Sequence, residues 1–85
     1  MKEIYELTEH AKEVLKERKI PIEYMEQTLF EPKLKYVDEI QNELEHRLKP
    51  IEENENRVLR VIVNIMSIPI KIVTLFFDRR MKGKL

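Results

Sequence analysis

The chain has 85 residues, 42% hydrophobic and 38% charged with a net charge of zero, which suits a single small domain over residues 1–85 and fits a folded chain better than a disordered one. It has no cysteine and one glycine, which excludes disulfides, thiol nucleophiles, thiolate metal sites and glycine-rich phosphate loops. Residues 1–56 hold 9 Lys and Arg against 15 Asp and Glu, while residues 57–85 hold 7 against 1, so an acidic part precedes a basic one.

In chain order, residues 3–7 alternate Tyr5 and Leu7 with charged neighbours and predict a short edge strand. The opening MKEIYEL has no apolar signal-peptide core and, with cysteine absent, points to the cytoplasm. Thr8 is placed to cap a helix over residues 9 to about 19, in which Ala11, Val14 and Leu15 share one face and charged residues fill the other. Arg18 falls inside that apolar stripe, with His10 at its border. An always-charged group there needs an ion-pair partner such as Asp78, or an opening in which it can hold a phosphate. Pro21 begins and Pro32 stops a second helix over residues 22–30, with Ile22, Met25 and Leu29 on one side. Residues 34–37 read as a strand. Residues 43–49 alternate Leu44, His46 and Leu48 against Glu43, Glu45, Arg47 and Lys49, the pattern of a half-buried strand, with a helix as the alternative. Residues 51–56 read as a polar connection, and Gly83 lies in a basic tail, MKGK.

Two β-branched runs, residues 58–65 and 70–77, flank a loop at residues 66–69 and predict an antiparallel hairpin. A regular register pairs Ile65 with Ile70, Val63 with Ile72, Val61 with Thr74, Leu59 with Phe76 and Arg57 with Asp78. It places Leu59, Val61, Val63, Ile70, Ile72 and Phe76 under the helices. The opposite face is also largely apolar, and Val58, Ile62, Val73, Leu75 and Phe77 are left for a partner to cover. A membrane helix over the same run would bury Arg60, Asn64, Pro69 and Lys71, at roughly 2.5 to 3.5 kcal/mol for each Arg or Lys. The expected fold is therefore α+β: two N-terminal helices on one face of a small antiparallel sheet ending in a C-terminal β-hairpin.

The two histidines have no metal-ligand spacing, and no metal or cofactor is expected. The chemistry-bearing residues are His10, Arg18, His46, Arg47, Arg57, Arg60, Arg79 and Arg80. Metal-independent RNA cleavage requires a base for the 2′-hydroxyl, an acid for the leaving 5′-oxygen and cations on the phosphate. His10 or His46 suits the acid and base roles, and Arg18, Arg47, Arg60 and Arg79 suit the phosphate. For any single one of these residues an ordinary surface charge is the simpler account.

Several segments carry a resemblance: Thr8-Glu9-His10-Ala11 leading to Arg18, Lys19-Ile20-Pro21, Glu31-Pro32, His46-Arg47, the run RVLRVIVN from Arg57 and the pair Phe76-Phe77 before Asp78-Arg79-Arg80. Together they resemble the bacterial family catalogued as domain of unknown function 4258, over nearly the whole chain. That family is grouped with RelE/ParE-like and BrnT-like toxins. The resemblance implies helices on one face of an antiparallel sheet and, by analogy, an endoribonuclease held inactive by an antitoxin. The neutral net charge departs from the basic character of ribosome-dependent toxins. A catalytically inert module that binds itself or another protein is the alternative, so the expected partners are a second copy or an antitoxin, with RNA as a substrate.

Overall fold

A computed structural model describes residues 4–85, in which the chain runs β1 (Tyr5–Leu7), α1 (Glu9–Glu17), α2 (Ile22–Phe30), β2 (Leu34–Val37), β3 (Leu44–Ile51), β4 (Arg57–Asn64) and β5 (Ile70–Phe77). Glu3, the start of the first expected strand, lies outside the described residues. The five strands form one sheet in the order β1-β5-β4-β3-β2, and both helices pack on one of its faces, giving the expected α+β architecture. The sheet is mixed where a wholly antiparallel one was expected. β1 runs parallel to β5, with Tyr5 opposite Ile70 and Leu7 opposite Ile72, while every other pair is antiparallel. No helix of the described residues is long and apolar enough to cross a membrane.

Thr8 joins α1 to the sheet. Its hydroxyl oxygen accepts from the Ala11 amide at 3.1 Å and donates toward the carbonyls of Ile72 and Val73 at 3.2 and 3.0 Å, so one side chain caps the helix and fixes it to β5. The helix ends at Glu17 because Lys19 turns left-handed, at φ 53°, and the Ile20 amide returns to the Leu15 carbonyl at 3.0 Å. This is a Schellman stop with the buried Ile20 as its apolar anchor. The early stop corrects the expectation for Arg18, which leaves the apolar stripe, is exposed and does not pair with Asp78.

The core under the helices joins Ala11, Met25 and Leu29 to Leu59, Val61, Val63, Ile72 and Leu75. Ile51, expected in a polar connection, ends β3 and is fully buried in this core. A 3-10 turn, Glu52–Asn54, then leads into β4 through left-handed Glu55 and Asn56.

The hairpin departs most from its expected form. Near the loop the register is as expected, with Asn64 opposite Lys71 and Val63 opposite Ile72. A bulge then inserts Val73, after which Ile62 faces Thr74, Val61 faces Leu75, Arg60 faces Phe76 and Leu59 faces Phe77. One added residue exchanges the faces of everything beyond it. Leu75 is therefore buried beneath the helices, and Phe76, expected there, stands 39% exposed on the opposite face. Asp78 does not face Arg57: its amide donates to the Val58 carbonyl at 2.8 Å, and its carboxylate is buried on the opposite face.

Of the five residues expected to need an outside partner, Val58 and Leu75 are fully buried and Phe77 packs against the helix-side core. The 3-10 turn Arg79–Met81 lies against β4 and helps cover the opposite face. What that face leaves open is Phe76 together with Leu34 and Tyr36 of the edge strand β2.

Candidate functional site

The six expected site residues fall in three places. Arg47 lies on the helix side of β3 and is buried. Its Nε donates to Glu45 at 2.7 Å and its Nη1 to the Leu29 carbonyl at 2.8 Å, so it satisfies a carbonyl left over at the end of α2.

His46 and Arg60 meet on the opposite face, in a polar network that runs across three strands. Arg60 Nε and Nη2 donate to Asp78 Oδ2 at 3.1 and 2.8 Å, while its Nη1 donates to His46 Nδ1 at 2.9 Å and to the Tyr36 hydroxyl. A guanidinium can only donate, so Nδ1 of His46 must accept, and the ring proton sits on Nε2, 2.8 Å from Asp38 Oδ1. Both imidazole nitrogens are thus engaged. The Tyr36 ring stacks on His46, with centroids 4.9 Å apart and planes 5° from parallel. Burial works against the charge of Arg60, but the bonds to Tyr36 and Asp78 outweigh it and hold its pKa above the ordinary value. Asp78 is likewise buried, yet donors from Arg60 and Arg80 keep its pKa below the ordinary value. The amide of Gln41, then His46 and the amide of Ile40, draw the Asp38 carboxyl down to about 2.

His10, Arg18 and Arg79 line a groove of about 890 Å³ along the end of β5, between α1 and the C-terminal turn. β1 pairs with β5 only as far as Ile72, so the outer edge of β5 is open beyond that point among the described residues. Lys19, Arg57 and Lys82 line the same groove. Among the described residues its one acidic group, Asp78, is already bound to Arg60 and Arg80, so the field in the groove is positive although the chain as a whole is neutral. His10 Nε2 lies 3.1 Å from Thr74 Oγ1, and the residue is exposed.

Tyr36, Asp38, Lys19 and Lys82 were not among the site residues expected from the sequence. Tyr36 and Asp38 do share a strand face by their spacing, but their meeting with His46 depends on the register of β2 on β3, where Tyr36 pairs with His46. Among the described residues no group of three or more His, Asp or Glu side chains is placed to hold a metal ion.

Residues 7–77 match the family described as domain of unknown function (DUF4258). Neither a curated protein nor a solved structure matches the chain.

Proposed function

The chain belongs to the DUF4258 family, and we propose that this member is a toxin-like, metal-independent endoribonuclease of the RelE/BrnT kind working in the groove beside β5. The observation that carries the reading is the groove itself: among the described residues, one imidazole and five cationic side chains along an open strand edge, with the only carboxylate neutralised by its own partners. His10 is the acid–base group. It takes the proton of a 2′-hydroxyl as that oxygen attacks phosphorus, or returns one to the 5′-oxygen as the P–O5′ bond breaks, leaving a 2′,3′-cyclic phosphate. Arg18 lies two helical turns along α1 from His10, ~12 Å by the helical rise, so it grips a neighbouring phosphate rather than the scissile one. Arg57, Arg79 and Lys82 hold the backbone on the other side. His46, Arg47 and Arg60 support this site through the sheet, since their polar groups are bound within the protein.

The test uses purified protein and a 5′-labelled RNA in excess EDTA. Cleavage to products with cyclic phosphate ends is expected, with His10→Ala slowing it about 100-fold or more and Arg18→Ala or Arg79→Ala weakening binding. Circular dichroism checks that each variant is folded. Absence of both RNA binding and cleavage overturns the reading.

A second reading, a non-catalytic module that binds itself or another protein such as an antitoxin, has its own observation: β2 is an edge strand whose Leu34, Tyr36 and Val37 are all exposed. A stable dimer in light scattering, with no affinity for RNA, is its signature.

A further inference from the structure

Two large aromatic side chains stand open on the sheet face away from the helices, Tyr36 at 41% and Phe76 at 39% exposure. Their settings differ from that of a loose surface residue. Tyr36 is held from two directions: its ring stacks on His46, and its hydroxyl accepts from Arg60, whose guanidinium carbon lies 5.9 Å from the ring centroid. His46 is itself held by Asp38 and Arg60. The ring is therefore fixed before anything binds, and little conformational entropy remains to be lost there.

The direction of that ring follows from the topology. His46 is on β3, directly opposite Tyr36 on β2, and β2 is the last strand of the sheet. One face of the Tyr36 ring is taken by His46, and the other looks outward past the edge, where no strand follows among the described residues. A flat ligand placed there would extend the existing two-ring stack. Phe76 sits in the adjacent cross-strand row, opposite Arg60, and lines the basic groove. Leu34 is open beside Tyr36 on the edge strand, but between the rings Leu48 is fully buried and Ile62 half-buried, so the two aromatic platforms are separate and not joined in one continuous aliphatic patch of the kind that joins two protein copies.

Three strand spacings separate β2 from β5, ~14 Å at the usual interstrand distance. Neighbouring bases in a helix rise ~3.4 Å each. The two rings are too far apart for adjacent stacked bases and suit two bases splayed from one strand. Bases within a duplex are stacked on both sides and offer no free face.

We propose that Tyr36 and Phe76 are base-stacking platforms that select single-stranded RNA, whose backbone runs in the groove lined by Arg18, Arg57 and Arg79. This rests on the reading of the groove as an RNA site and adds the class of RNA it takes. Stacking on an aromatic face is tolerant of base identity, so the selection is for an unpaired strand and not for a sequence.

The test is fluorescence anisotropy with a labelled 12-nucleotide uridine RNA and with an RNA duplex of the same length, using the full chain. The single strand binds more tightly than the duplex. Tyr36→Ala and Phe76→Ala each weaken single-strand binding about 5- to 150-fold and leave duplex binding unchanged. Tyr36→Phe keeps the ring without the acceptor for Arg60 and retains most of the affinity, which separates stacking from loss of the polar network. Equal binding of both RNAs, or alanine variants that bind as the native chain does while Arg18→Ala does not, overturns the platforms and leaves the groove standing. No RNA binding at all overturns both. A dimer that Tyr36→Ala or Phe76→Ala converts to monomers overturns the platforms in favour of a protein interface.

Discussion

Arg60 and Asp78 form a buried ion pair between the last two strands, with two guanidinium nitrogens 2.8 and 3.1 Å from one carboxylate oxygen and both residues less than a tenth exposed. The pair joins the end of β5 to the middle of β4 and, through Nη1 of Arg60, carries on to His46 and Tyr36. No buried side-chain nitrogen or oxygen among the described residues lacks a hydrogen-bond partner, so this network is fully hydrogen-bonded.

Removing one member of such a pair leaves the other charge buried and unpaired. Asp78→Leu or Arg60→Met alone is expected to destabilise the fold by about 3 to 5 kcal/mol, and the double variant by much less than the sum. Urea unfolding of the four proteins measures the coupling, and strictly additive losses would contradict it. The pH dependence has a definite sign. The folded pKa of Asp78 lies below its ordinary value of 3.8, so the stability it contributes is complete above that pH and is lost as the pH falls through the folded pKa. Arg60→Met should remove much of that acid-side slope.

The tautomer of His46 is a second expectation. Nitrogen-15 shifts of the neutral ring should show Nε2 protonated and Nδ1 bare, because Arg60 has only donors to offer. The reverse tautomer would mean that Arg60 and His46 are not in contact in solution. Asp38 accepts the hydrogen bond from Nε2–H and should titrate near pH 2. Its contribution to stability is present above its ordinary pKa of 3.8 and lost as the pH falls through about 2. Asp38→Asn should remove this titration.

The bulge at Val73 makes neighbouring residues respond in opposite ways. Leu75→Ala should cost about 2 to 5 kcal/mol through the cavity it opens beneath the helices. Phe76→Ala should cost about 1 kcal/mol or less, although it removes a larger side chain. A regular hairpin requires the reverse order, so thermal melts of the two variants distinguish the registers.

Lys19 occupies a left-handed position that glycine adopts without strain. Lys19→Gly should raise stability by about 0.5 to 1 kcal/mol, seen as a higher melting temperature, while also removing one charge from the groove. A lower melting temperature would mean that the lysine stem contributes more to the end of α1 than its backbone strain costs.

What the sequence determined by itself is the set of elements and most of their ends, because these rest on local chemistry. Thr8 caps α1, prolines 21 and 32 bracket α2, and β-branched runs mark the last two strands. The family was legible too, from short blocks of residues that stay contiguous in the chain. The tertiary structure decided which side chains meet. Every contact in the Tyr36–His46–Arg60–Asp78 network depends on strand register, and a strand repeats its faces every two residues, so one inserted residue exchanges the faces without altering the alternation that sequence reading relies on. The bulge forms where Thr8, sixty-five positions away, bonds the Val73 carbonyl, and no local signal near Val73 carries that information. The same holds for the groove. His10, Arg18, Arg57 and Arg79 are an ordinary scatter of charges along the chain, and they line one surface only because α1 ends at Glu17 and the chain turns at Lys19 beside the open edge of β5.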